Sequence, residues 1–234
     1  MAKLIHDEVG KRFYETGVSK GVLFPMASNG TYEKGVAWNG LSAVNENPTG
    51  AEETAVYADN IKYLSLYSKE DFGATIECYY YPEEFEPCNG TVEIGTGVTI
   101  TQQARKKFGF AYITNISNDT VGQSYGQKLH LVYGATASPS SKNNSTINEN
   151  PEAGTLSYEI KTIPTAVEGK EPTAHLIIDS TKLTSAVWNK VLDIIYGTDG
   201  DPTAEPPVAE TDPTLPTPDR LIELVPELAP TTNG

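Results

Sequence analysis

Two alternating runs, separated by a long polar stretch, constrain this chain more than any other feature. Lys128-Leu129-His130-Leu131-Val132-Tyr133 puts Leu129, Leu131 and Tyr133 on one side of an extended segment. Thr155-Leu156-Ser157-Tyr158-Glu159-Ile160 puts Leu156, Tyr158 and Ile160 on one side, with Ser157 and Glu159 on the other. An apolar period of two is the pattern of a half-buried strand. Between the runs lies Gly134 to Gly154, GATASPSSKNNSTINENPEAG, rich in turn formers and nearly devoid of apolar residues. Loops beyond about 12–15 residues are uncommon inside a compact domain, and most are functional or disordered. The spacing therefore predicts a strand pair holding out an arm, and the arm is expected to grip another copy of the chain.

The remaining sequence reads the same way. Short runs of Val, Ile, Thr and Tyr recur between turn signals, a mainly-β pattern. Val22–Phe24, Thr31–Trp38, Gly73–Tyr81, Thr91–Ile100, Phe108–Ile113 and Ala174–Ile178 are candidate strands. Asn29-Gly30 and Asn39-Gly40 are turn signals around one of them. In the run Tyr57–Tyr67, Ile61, Tyr63, Leu64, Leu66 and Tyr67 are candidates for burial. Pro82–Phe85 can open a short helix ended by Asn89-Gly90. A single long helix is expected at about 184–196, with Thr184 or Ser185 as cap. Its apolar stripe is Val187, Trp188, Val191, Leu192, Ile194 and Ile195, and Gly197 stops it. Residues 1–16 read as an arm, with a strand possible around Arg12–Tyr14. From Asp199 onward lie half of the chain's 16 prolines and many acids, with Arg220 the only base. This divides the chain into a β domain, 1–198, and an acidic Pro-rich tail, 199–234, whose segment 217–225 docks as a short helix or strand. The fold class expected is mainly β, a sandwich or barrel with one flanking helix, the long loop 134–154 and extended termini.

A net charge of −14 repels phosphate and argues against tight nucleic-acid binding. The start lacks an apolar signal region, and no apolar run approaches the ~20 residues of a membrane span. Folding in the cytoplasm of the producing cell is therefore expected, with no membrane partner. Cys78 and Cys88 are then free thiols, and the Asn-x-Ser/Thr triplets are turn chemistry.

The search for chemistry finds no site. Gly17-Val18-Ser19-Lys20-Gly21 matches a nucleophile elbow, but Val22-Leu23-Phe24-Pro25 follows where a helix is needed. Glu83, Glu84 and Glu86 read as a solvated first helical turn rather than a carboxylate pair for glycoside hydrolysis. The three histidines, His6, His130 and His175, have no zinc spacing, and there is no phosphate loop or dinucleotide fingerprint. No catalytic residue, cofactor or metal is assigned. Arg105-Lys106-Lys107, the one dense basic patch, suits an acidic patch on a neighbouring subunit.

Taken in order, several stretches resemble the major tail protein of long-tailed, non-contractile bacteriophages of Gram-positive hosts. They are YETGVSKGVLFP (14–25), VAWNGLSAVNENPTGAE (36–52), YADNIKYLSL (57–66), FGATIECYYYPEEFEPCNG (72–90), LHLVYGATASPS (129–140), INENPEA (147–153), LDIIYGTDG (192–200) and DPTLPTPDRLIEL (212–224). The acidic spacer DPTAEPPVAE (201–210) departs from the pattern. The resemblance implies a β-sandwich-like subunit of the virion's tail tube, made and assembled in the host bacterial cytoplasm. It further implies six copies per ring, rings stacked into a tube, and sheets joined into a continuous inner barrel through which double-stranded DNA passes without specific binding. Tape measure, distal tail and tail terminator proteins are the partners it implies.

The expectation is thus a self-assembling structural protein without enzymatic activity. A non-polymerising immunoglobulin-like surface-binding or decoration module is the alternative. Candidate subunit contacts are Ser138, Pro139, Lys142, Asn143, Asn144, Ile147 and Asn148 in the long loop, the basic Arg105, Lys106 and Lys107, and Leu221 and Ile222 near the C-terminal end. Deleting Ser138–Asn150 should leave a folded monomer that no longer polymerises. Normal polymers from the deletion variant, seen by negative-stain microscopy, would remove the assembly role of the loop.

Overall fold

The computed structural model describes residues 4–147, 149, 153–200, 203 and 209–229. The strands in chain order are β1 (Phe13–Pro25), β2 (Val36–Trp38), β3 (Leu41–Glu46), β4 (Thr49–Gly50), β5 (Glu53–Ala58), β6 (Ile61–Tyr67) and β7 (Glu70–Asp71). They continue with β8 (Gly73–Cys78), β9 (Val92–Gly95), β10 (Val98–Ile100), β11 (Phe108–Asn118), β12 (Gly122–Ala137), β13 (Leu156–Lys161) and β14 (His175–Asp179). The α-helices are α1 (Glu86–Asn89), α2 (Ser185–Tyr196) and α3 (Pro218–Leu224).

A central antiparallel sheet runs β2-β1-β11-β12-β14. A second runs β13-β8-β3, joined to the first where Thr136 and Ala137 of β12 pair with Lys161 and Ile160. The two sheets face each other as a sandwich. Leu23, Phe108, Phe110, Tyr112 and Val132 of the central sheet meet Ala74, Ile76, Cys78, Tyr158 and Ile160 of the second, with Trp38, Phe85 and Cys88 closing the layer. The strand alternation expected for Phe108, Phe110 and Tyr112 is what builds this interior.

The opposite face of the central sheet is equally apolar, through Val22, Phe24, Ala111, Ile113, Leu129, Leu131 and Tyr133. Helix α2 covers it with Val187, Trp188, Val191 and Ile195, while Leu192 and Ile194 of the expected stripe are half-buried at its margin. Thr184 caps α2 by accepting from the Val187 amide, and Gly197 ends it at φ 75°. The C-terminal segment completes the layer. Leu215, Leu221 and Val225 are buried against the same face, and the Tyr133 hydroxyl donates to the Pro216 carbonyl at 3.1 Å. Segment 217–225 docks as a short helix capped by Thr217 and forms part of the main core. Among the described residues of 199–210 no strand or helix is formed, and Thr198 and Thr211 pair across this stretch.

Other elements differ from expectation for local reasons. The strand possible around Arg12–Tyr14 is formed and runs on into β1, so the arm ends before Phe13, where Phe13–Thr16 pair with Asn115–Asn118. The strand expected at Thr31–Trp38 shrinks to Val36–Trp38. Asn29 accepts from the Thr31 amide, closing a turn that folds Tyr32 back onto Met26. Strand β12 continues to Ala137, so the long loop spans 138–155 rather than 134–154. Its flanking strands share only that corner pairing, each otherwise belonging to a different sheet. Gly134 makes the corner. It stands at φ 59°, and a Cβ there would meet the Ile163 carbonyl oxygen at 2.4 Å.

Cys78 and Cys88 are free and buried in the sandwich. Burial pushes the Cys88 thiol from 9.0 up to about 12 and raises Cys78 in the same direction. The sign follows: the folded chain holds its protons more tightly, so this contribution to stability is complete below about pH 9 and is lost as pH climbs toward 12. Neither thiol should react with iodoacetamide at pH 8 in the folded protein, and both should react after unfolding in urea. Phe85→Ala should lower stability by about 3–5 kcal/mol in urea titrations, since the ring is fully buried.

Candidate functional site

The largest departure from the sequence reading lies between β3 and β8, two paired strands of the second sheet. Thr49 to Asp71 is one long hairpin, β4 pairing with β7 and β5 with β6. Asp59 and Asn60 form its tip at φ 50° and 63°, left-handed values that suit a tight two-residue hairpin turn. At about 3.3 Å per residue the ladder is roughly 35 Å long. Ile61, Tyr63, Leu64, Leu66 and Tyr67, expected to be buried, are 39–70% exposed, and Tyr57 joins them at 70%. Ile61, Tyr63 and Tyr67 alternate with Leu64 and Leu66, so apolar groups stand on both faces. The apolar run forms a strand here, but the burial expected of it is not found. The Asp-Asn pair was the signal for a hairpin tip.

The ladder has some polar support. Glu53 accepts from both Lys62 and Ser65, which holds its carboxyl below the usual carboxylate range. At the base, the Lys69 ammonium stands 3.3 Å from Glu171. A second hairpin, β9–β10, also exposes Val92, Ile94, Val98 and Ile100.

The predicted contact residues separate into three groups. In the long loop, Pro139, Lys142, Asn143, Asn144 and Ile147 are exposed and Ser138 is half-buried. Asn148 lies outside the described residues. The Ser138 amide donates to the Glu159 carbonyl at 2.7 Å, which ties down the loop's first residue. In the basic group, Lys106 and Lys107 are exposed, but Arg105 is half-buried and donates to Ala137 O at 3.1 Å and Asn89 Oδ1 at 3.4 Å. Arg105 thus braces α1 against the end of β12 inside its own chain. In the C-terminal group, Ile222 is exposed whereas Leu221 is 1% exposed in the helix-side core. Leu221 is therefore no surface contact: with Thr217 as cap, the first turns of α3 point it inward.

Sequence reasoning also missed a polar cluster at the root of the hairpin arm. Glu46 ends β3, His130 lies on β12 and His175 opens β14. Val132 pairs with His175 and His130 with Ile177, which brings the two imidazoles together. His130 Nδ1 is 3.1 Å from His175 Nε2 and 3.5 Å from Glu46 Oε1. His130 Nε2 is 3.0 Å from Thr114 Oγ1, and the Tyr112 hydroxyl donates to Glu46 Oε1 at 2.8 Å. The Tyr112 and His130 rings stack at 4.4 Å, and Phe72 lies 4.3 Å from the His175 ring. Burial holds both histidines below the usual range, His130 down to about 4, with the neighbouring imidazole acting in the same direction on His130 and Glu46 opposing. The parity of His130, opposite to Leu129 and Leu131, was legible; its meeting with His175 was not.

Gly17–Gly21 lies within β1, where the register slips around Ser19, not at a strand-to-helix turn. No protein-family model matches this chain, and no curated protein matches it.

Because the hairpin's apolar groups are already exposed, Tyr63→Ser with Leu66→Ser should change monomer stability by less than about 1 kcal/mol. Urea titration of dilute protein checks this. A loss comparable to a core substitution would mean that the hairpin is packed within its own chain.

Proposed function

We propose that this chain is a structural subunit that self-assembles, and that the assembly is the tail tube of a long-tailed, non-contractile bacteriophage, built from stacked hexameric rings that carry DNA into the host. The observation that carries the self-assembly reading is the Thr49–Asp71 hairpin, with apolar side chains exposed on both faces. An isolated two-stranded hairpin is marginal in water, and a contiguous exposed apolar surface marks an interaction site. Apolar side chains on both of its faces suit insertion between two surfaces rather than docking on one.

The edges of the sandwich support the same reading. The three-residue strand β2 and the strand β14 border the central sheet, and β3 borders the second. Such edges invite pairing with another chain, and a closed ring satisfies them without leaving a growing end in the ring plane. The ring number, the stacking and the phage tail come from the resemblance of the stretches quoted above. In that setting the net charge of −14 disfavours adhesion of DNA to the channel wall.

Concentrated purified protein should form rings or tubes in negative-stain microscopy and sediment as large species. Replacing Glu53–Tyr67 by a two-residue turn should leave a folded monomer and abolish these species. A wild-type chain that stays monomeric at all concentrations would instead favour the surface-binding or decoration module.

A further inference from the structure

We propose that Glu46, His130 and His175 bind one divalent transition-metal ion of the zinc class, which fastens the root of the hairpin arm to the central sheet. One donor atom from each of the three residues lies within 4.8 Å of the others. Two nitrogens each about 2.0–2.1 Å from a tetrahedral zinc ion stand roughly 3.3 Å apart. The His130 Nδ1 to His175 Nε2 separation is 3.1 Å, and His130 Nδ1 to Glu46 Oε1 is 3.5 Å. The donor atoms therefore need to move only by tenths of an ångström on these two edges. Two imidazoles and one carboxylate suit zinc, cobalt or nickel, whereas calcium and magnesium take oxygen ligands.

The surroundings orient the three ligands toward one another. With the His130 Nε2 proton donated to Thr114 Oγ1, the lone pair of His130 is on Nδ1, facing the site. The proton of the 3.1 Å contact between the two imidazoles then sits on His175 Nε2, and a bound ion takes its place as His175 moves that proton to Nδ1, 4.0 Å from Glu46 Oε2. The hydroxyl of Tyr112 steadies the Glu46 carboxylate from behind. Tyr112 and Phe72 pack against the two rings and limit their rotation. Lys128, the nearby cation, is paired with Glu15. His130 is buried and His175 nearly so, but Glu46 is 40% exposed, so an ion can enter from that side and keep water as its fourth ligand.

The placement gives the ion a mechanical effect. The Asn47 amide donates to the Gly73 carbonyl at 2.7 Å, closing the base of the arm one residue beyond Glu46 and one beyond Phe72. Joining Glu46 to His130 and His175 would fix that base against β12 and β14. This effect is a property of the single chain and does not depend on what the arm later contacts.

The test uses the full chain stripped with a chelator and dialysed, then titrated with Zn²⁺ or Co²⁺ alone. One Co²⁺ per chain should bind with the intense visible absorption of tetrahedral cobalt, and Zn²⁺ should displace it and raise the Tm. Glu46→Gln and His175→Ala should each abolish the visible band and weaken zinc binding by well over tenfold. Tyr112→Phe and Thr114→Val should weaken it about 10–100-fold. Circular dichroism in chelator checks that each variant folds; Glu46→Gln alters an exposed group and carries the test if His175→Ala does not fold. Absence of stoichiometric binding, or binding unchanged in Glu46→Gln, would overturn the site and indicate only diffuse attraction to an acidic surface.

Discussion

The structure depends on one constraint: its central sheet is apolar on both faces. In β1, β11 and β12 the buried residues are consecutive rather than alternating, as in Val22-Leu23-Phe24 and Phe110-Ala111-Tyr112-Ile113. A sheet of this kind cannot leave either side to water without exposing a row of large side chains. It therefore requires two different covers. The second sheet covers one face through Ile76, Tyr158 and Ile160, and α2 with the C-terminal segment covers the other. The remaining local solutions follow from this. Gly134 lets one strand turn from the first sheet into the second. Thr184 and Thr217 start the two covering helices where they are needed.

The same constraint makes the hairpins informative. A chain that encloses Leu23, Phe24 and Phe110 completely has apolar residues and covering elements well matched over its two cores. Yet Thr49–Asp71 places Tyr63, Leu66 and Tyr67 outside both of them. Backbone pairing alone gives such a ladder little stability in water. Its polar braces, Glu53 with Lys62 and Ser65, are exposed and contribute only modestly. An apolar two-faced ladder of this length is consistent with a surface that becomes buried only in an assembly.

Much of the fold was legible because burial leaves periodic traces. Phe108, Phe110 and Tyr112 at period two, and Val187, Trp188, Val191 and Ile195 at helical spacing, named their own partners' faces. What the pattern could not encode was which cover each strand receives. Tyr57–Tyr67 has the composition of a core strand, and only the three-dimensional arrangement shows that no layer reaches it. Leu221 misled in the opposite sense: an apolar residue in a Pro-rich acidic segment looked available to a neighbour, but its own chain had a vacant sheet face to fill. The Glu46, His130 and His175 cluster was illegible for a different reason. Its members lie 45 and 84 residues apart in sequence and meet only through strand register.

Charge narrows how copies of this chain could associate. At −14 per subunit, like-charged copies repel, and six together would repel strongly at low ionic strength. The basic cluster offers less relief than its sequence suggests, since Arg105 is engaged with Ala137 and Asn89, leaving Lys106 and Lys107 free to face outward. In the proposed assembly, attraction between subunits would come mainly from groups that carry no charge: the tyrosines and aliphatic side chains of the arm and the backbone groups of the sheet edges. These short-range forces act only in close register, while the repulsion acts over roughly 10 Å at moderate salt. A subunit assembling under this balance would stay apart from misaligned copies and bind only where the apolar ladder and the sheet edges meet their partners together. In the proposed tube, one net charge thus serves two purposes, keeping DNA off the wall and keeping wrongly placed subunits off one another.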